Sequence, residues 1–144
     1  MLVQEVLKAK PSSDVATVTS STQIAEAAKV LADKGIGTVL VSEDGKSVEG
    51  ILSERDIVRE LAKSGGACLT KPVSEYMTRK LVSCTRQMTT DEVLHKMTEG
   101  RFRHMPVIED GELIGLVSLG DVVKAQLTHV TMEKSALESM IMGH

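Results

Sequence analysis

Gly50-Ile51-Leu52-Ser53-Glu54-Arg55-Asp56-Ile57-Val58 is the stretch that decides the fold, because the chain writes it twice. It returns as Gly115-Leu116-Val117-Ser118-Leu119-Gly120-Asp121-Val122-Val123. Each copy is a glycine, two aliphatics, a serine, two variable residues, an aspartate and two more aliphatics. The first aliphatic pair suits a buried strand and the second the first turn of a helix. Between them the serine is a natural N-cap, and the aspartate places a negative charge where the helix dipole favours one. Capping alone accounts for either copy taken singly. Two copies at matching offsets point further, to a duplicated strand–turn–helix in which each copy presents a hydroxyl and a carboxylate.

Working outward, the same repeat extends to both sides. Glu26 and Glu92, Thr19 and Thr85, and Asp44 and Asp110 are all 66 apart, while Ser53 and Ser118, and Asp56 and Asp121, are 65 apart. The lost residue falls in the second hairpin, where a deletion costs little. In the first copy, Thr22 is expected to cap a helix running to about Lys34. Its apolar stripe is Ile24, Ala27, Ala28, Leu31 and Ala32, and Gly35 ends it. Thr38 to Ser42 and Val48 to Leu52 read as strands about a Glu43-Asp44-Gly45-Lys46 turn. A helix from Glu54 to Ala62 follows, closed by Ser64-Gly65-Gly66. Residues 67–79 read as a linker holding one helical turn, Val73 to Met77.

The second copy restarts with Leu81 to Thr85 extended and Thr89 to Glu99 helical. There Val93, Leu94 and Met97 face inward and Gly100 ends the helix. A hairpin follows about Asp110-Gly111, with strands Met105 to Glu109 and Leu113 to Val117, and a long helix starts at Leu119. Ahead of both copies, Met1 to about Lys10 reads as a short helix closed by Pro11, and Asp14 to Thr19 as an extended connector.

A hairpin with two helices buries too little apolar area to stand alone. The expected architecture is therefore α+β: two repeats packed sheet against sheet about a pseudo-twofold axis, small sheets flanked by helices, with clefts that borrow residues from both copies. The expected division is 1–66 with the N-terminal helix, 67–126, and a helical extension at 127–144. In that extension Val123, Leu127, Val130, Leu137 and Ile141 recur at spacings of four, three, seven and four, a seam interrupted by Lys134. With Met132, Met140 and Met142 nearby, it is expected to pack against another subunit.

Composition narrows the function. The 144 residues are 42% hydrophobic and 26% charged with a net charge of −3, an ordinary balance for a globular chain. No basic tract, no apolar run of bilayer length and no signal-peptide pattern is present, so nucleic acid and membrane are not expected partners, and a cytoplasmic setting is. Tyr76 and Phe102 are the only aromatics, which removes a stacking platform for single strands. Cys68 and Cys84 lack metal-type spacing and read as free thiols. No metal or catalytic constellation, and no Walker or Rossmann glycine pattern, stands out.

The paired motif, with Arg101-Phe102-Arg103-His104-Met105-Pro106-Val107 before the second hairpin, resembles the CBS domain, and two in tandem resemble a Bateman module. The match covers about Val3 to Gln126. The resemblance implies binding of adenosine-containing ligands, namely AMP, ADP, ATP, NAD(H) or S-adenosylmethionine, with the motif aspartate on the ribose hydroxyls. Carried over, one site would combine Ser53, Arg55 and Asp56 with Val82, Phe102, Arg103 and His104. The other would combine Ser118, Gly120 and Asp121 with Ala16, Ile36, Gly37 and Thr38. A carboxylate accepting two vicinal hydroxyls is the usual ribose clamp, and a cation at a helix N-terminus suits phosphate. Arg55 and His104 would make the first site the tighter one for a phosphorylated ligand, since Gly120, Thr38 and Gly37 carry no charge. Arg55 and Arg59 also read as an ordinary solvated helix face.

The function expected is a non-catalytic regulatory module that transmits energy or redox state to an unidentified partner protein, and that forms a homodimer through its CBS helices and its C-terminal helix. The alternative is a dimerisation or scaffold module with vestigial ligand sites.

Overall fold

A computed structural model describes residues 1–10 and 15–141. The elements run α1 (Val3–Ala9), β1 (Thr17–Val18), α2 (Ile24–Lys34), β2 (Thr38–Val41), β3 (Gly50–Ser53), α3 (Glu54–Ser64), two 3₁₀ turns (Gly65–Thr70 and Val73–Glu75), α4 (Thr90–Gly100), β4 (His104–Glu109), β5 (Glu112–Ser118) and α5 (Leu119–Ile141). This is the expected mixture of helices and small sheets. Pro11, Asp14 and Met142, which the sequence reading also used, lie outside the described residues.

The chain divides into two compact units: Asp14–Ser83 with Ile108–Ile114, and Met1–Ser13 with Cys84–Val107 and Gly115–His144. The first is built on the first repeat. β2 and β3 pair antiparallel, with Val39 opposite Leu52 and Thr38 opposite Ser53. The connector before α2 is not merely extended: Thr17 and Val18 add a parallel strand beside Leu40 and Val41. Two residues are too few to show a period, so the sequence pattern could not separate strand from connector. The core is aliphatic, with Ile24, Ala27 and Leu31 of α2 against Val39, Val41, Leu52 and Ile57, closed by Val73 and Met77. Two details of α2 differ from expectation. Its N-cap is Gln23, because the Thr22 hydroxyl is taken by the Thr19 amide (3.2 Å), and Ala32 is exposed.

The second unit contains α1, α4, the start of β4, the end of β5, and α5. Val3, Val6, Val93, Met97, Met105, Val107, Val117 and Val122 are among its buried side chains. Here α4 runs one residue past expectation, through Gly100, and Arg101 takes the left-handed cap at φ 56°. Gly100 is required for another reason. A Cβ there would collide with the Phe102 ring. Cys68 and Cys84 are both buried.

The helix that precedes the first repeat thus packs within the unit built on the second. The reason is a further repeat. Leu2, Val3, Leu7 and Lys10 stand 70 residues before Pro72, Val73, Met77 and Lys80. Leu2 bridges Thr89 ahead of α4 as Pro72 bridges Gln23 ahead of α2. Val3 and Val73 are both fully buried. Leu7 packs on Gly115, where a Cβ would lie 2.8 Å from it, as Met77 packs on Gly50, where a Cβ would lie 2.7 Å away. Each motif strand is therefore glycine at its start because a short segment crosses it closely. For the second repeat that segment is the N-terminus.

The long helix buries Val122 and Ala125, and the Gln126 amide donates to Thr90 Oγ1 at 2.9 Å. No described residue beyond Gln126 is buried. Val123, Leu127, Val130, Leu137 and Ile141 are all exposed. Among the described residues, no helix is long and apolar enough to cross a membrane.

Candidate functional site

Both motif loops fold as the capping pattern dictates. In the first, the Ser53 amide donates to Asp56 Oδ2 at 2.9 Å and the Ser53 hydroxyl to the same oxygen at 3.0 Å. The Asp56 amide returns a bond to Ser53 Oγ at 3.3 Å. In the second, the Ser118 amide donates to Asp121 Oδ2 at 2.9 Å and the Asp121 amide to Ser118 Oγ at 3.0 Å. Both are capping boxes in which the acid reaches back to the cap amide. Each aspartate is held at a helix N-terminus in one orientation, and each keeps an oxygen turned away from the cap.

What meets the two carboxylates differs. Asp56 pairs with Arg59 Nη1 at 3.5 Å, and Arg59 is 63% exposed. Arg59 thus reaches the first motif acid from one turn along the same helix. Arg55 is exposed and lines, with Glu54, Val58 and Arg59, a shallow depression of about 430 Å³ on one face of α3. Asp121 instead pairs with Lys10 Nζ at 2.9 Å, each side chain about a quarter exposed. Lys10 also donates to the Leu116 carbonyl at 2.7 Å. Burial pushes the Asp121 carboxyl up, but the Lys10 ammonium and the bonds from Ser118 outweigh it and leave it below the ordinary carboxylate value. The sequence reading left the second motif without a cation, and the fold brings one from a helix outside the repeat. No local signal marks Lys10 for this role, since the matching Lys80 is exposed and the first motif acid is met by Arg59.

The remaining candidates fall as follows. In the unit built on the first repeat, the Gly37 carbonyl accepts from the Glu54 amide at 2.9 Å, so Gly37 and the buried Thr38 lie against their own copy's motif. Ala16 and Ile36 pack on the core cluster, and Val82 is 38% exposed. In the other unit, the Arg103 carbonyl accepts from the Leu119 amide at 2.8 Å, which sets Arg103 beside the second motif. Phe102 and His104 are half-buried next to it, and Gly120 is exposed. Among the described residues, no group of three or more His, Cys, Asp or Glu could hold a metal.

The two repeats thus form a duplicated hairpin–helix module, each copy carrying an intact Gly-x-x-Ser-x-x-Asp loop. The chain belongs to the CBS domain family, whose model matches residues 3–63 and 73–128. It is similar to the mitochondrial CBS domain-containing protein CBSX3 of Arabidopsis thaliana, at 30% identity over 98% of this chain and 72% of that one. It is likewise similar to the CBS domain-containing protein YhcV of Bacillus subtilis, at 32% over 82% and 83%. Among solved structures, a CBS-domain protein of Agrobacterium tumefaciens superposes with a TM-score of 0.83 at 44% identity, covering 88% of this chain and 99% of that one. The CBS domain pair of protein MJ0100, solved with 5′-methylthioadenosine and S-adenosyl-L-methionine, superposes with a TM-score of 0.75 at 27% identity, over 86% and 98%.

Proposed function

We propose that the chain is a non-catalytic sensor that binds an adenosine-containing ligand, AMP, ADP, ATP or NAD(H), and passes its occupancy to a partner protein. The observation that carries this reading is the pair of preorganised Ser–Asp loops, each offering a fixed carboxylate oxygen to a ribose hydroxyl at a helix N-terminus. The adenosyl ligands of the MJ0100 pair, a relative at 27% identity, support it. One site would be built on Ser53, Arg55 and Asp56, and the other on Ser118, Gly120 and Asp121. Cytoplasmic residence is part of the same proposal.

The test is a thermal-shift series with AMP, ADP, ATP, NAD, NADH and S-adenosylmethionine on the unmutated chain, Asp56→Ala and Asp121→Ala. A ligand at one hundred times its dissociation constant adds about 2.7 kcal/mol, and the expected result is a shift that one of the aspartate variants loses. No shift with any of the six would favour the scaffold reading. Turnover of AMP, ATP or NAD would make the protein an enzyme and overturn the non-catalytic reading.

The same proposal includes a homodimer. Val123, Leu127, Val130, Leu137 and Ile141 form an exposed seam at coiled-coil spacing, and Val58 and Leu61 are exposed on α3. Sedimentation should give a dimer for the unmutated chain and a shift towards monomer for Leu127→Glu. A monomeric unmutated chain would remove this part of the reading.

A further inference from the structure

We propose that Lys10 is a ligand-binding residue of the second site, and that Lys10 and Asp121 read a ribose diol as a donor–acceptor pair. The inference rests on the adenosine-ligand reading above. Asp121 Oδ2 is filled, since it accepts from both the Ser118 amide and Lys10 Nζ. The acceptor left for a ligand is Oδ1. An ammonium has three N–H donors. Two of those on Lys10 are used, on Asp121 Oδ2 and the Leu116 carbonyl, and no described residue is seen to take the third. A carboxylate with both oxygens open would accept from two hydroxyls. This one accepts from one hydroxyl and leaves the other to the lysine as an acceptor.

The lysine is preorganised for that role. Leu7 anchors α1 against Gly115, and the chain leaves the helix extended at Lys10, with φ −72° and ψ 138°. The internal repeat supplies the control. Lys80 holds the matching position behind Met77, yet it is exposed and makes no hydrogen bond or ion pair with any described residue. The first motif acid is met by an exposed arginine from its own helix instead. The two loops share one backbone design but present different partners to a sugar.

The experiment measures binding by calorimetry in an Asp56→Ala background, which removes the first clamp. The titrants are AMP, 2′-deoxy-AMP and 3′-deoxy-AMP, with and without Lys10→Met. Loss of a hydrogen bond to a charged group should weaken AMP about tenfold in Lys10→Met. The deoxy analogue that lacks the hydroxyl contacted by Lys10 should bind both proteins equally. Equal weakening of all three nucleotides would show that Lys10 only supports the fold, and unchanged or tighter AMP binding would show that it only competes for Asp121. Either result overturns the inference. AMP binding to the unmutated chain that vanishes in Asp56→Ala would overturn it too, leaving the sensor reading intact. No adenosine ligand binding to the unmutated chain would remove both readings together.

Discussion

Leu52→Ala should lower the unfolding free energy by about 3 kcal/mol, within the range for a buried leucine cut back to alanine. Leu52 is fully buried, sits opposite Val39 and packs in the cluster that joins α2, the sheet and Ile57. It is also the residue directly before Ser53, so the strand it anchors sets where the first capping box stands. The check is a urea titration: the midpoint should fall with the slope unchanged, which reports lost stability rather than a changed denatured state. Val58→Ala, six residues on and 63% exposed, should change stability by less than about 0.5 kcal/mol. A loss below about 1 kcal/mol for Leu52→Ala would mean that the cluster is not the core of its unit.

The second large effect is electrostatic. Asp121→Asn keeps the shape of the acid but removes the charge that faces Lys10. For a pair whose members are each about a quarter exposed, the cost should fall between the surface and the buried cases, about 2 kcal/mol at pH 7. The pH dependence follows from the direction of the shift. The folded carboxyl lies below its ordinary value of 3.8. Its contribution is therefore fully present above that value and is lost as the pH falls through the folded value. The unmutated chain and Asp121→Asn should differ at pH 7 and converge towards pH 2 in denaturant titrations. A difference that stays constant with pH would remove the ion pair as the cause. Asp56→Asn should cost less, because its partner Arg59 is solvated.

Much of this was legible in the sequence, and particular residues show why. The Ser-x-x-Asp loops are local devices: a side chain three residues along a helix start has one backbone amide within reach, so both boxes formed as the spacing required. Gly45 and the Asp110-Gly111 pair took the positive φ angles that their hairpin turns need. The seam on α5 kept its spacing because helical geometry alone determines it. The misses have the opposite character. Thr22 has the right chemistry for a cap, but Thr19 engaged its hydroxyl first. Gly100 looked like a helix stop and is instead the space under Phe102.

The sequence by itself determined the duplication, the order of helices and hairpins, the apolar faces and the two motif acids, because these depend on periods of two and 3.6 residues and on turn chemistry, all set within a few positions. Tertiary structure alone decided that the N-terminal helix completes the second repeat, and that Lys10 meets Asp121 and the Leu116 carbonyl from more than one hundred residues away. A contact at that separation has no local signature. It exists because Leu7 needs the surface that Gly115 leaves open, and packing that leucine carries the lysine to the carboxylate.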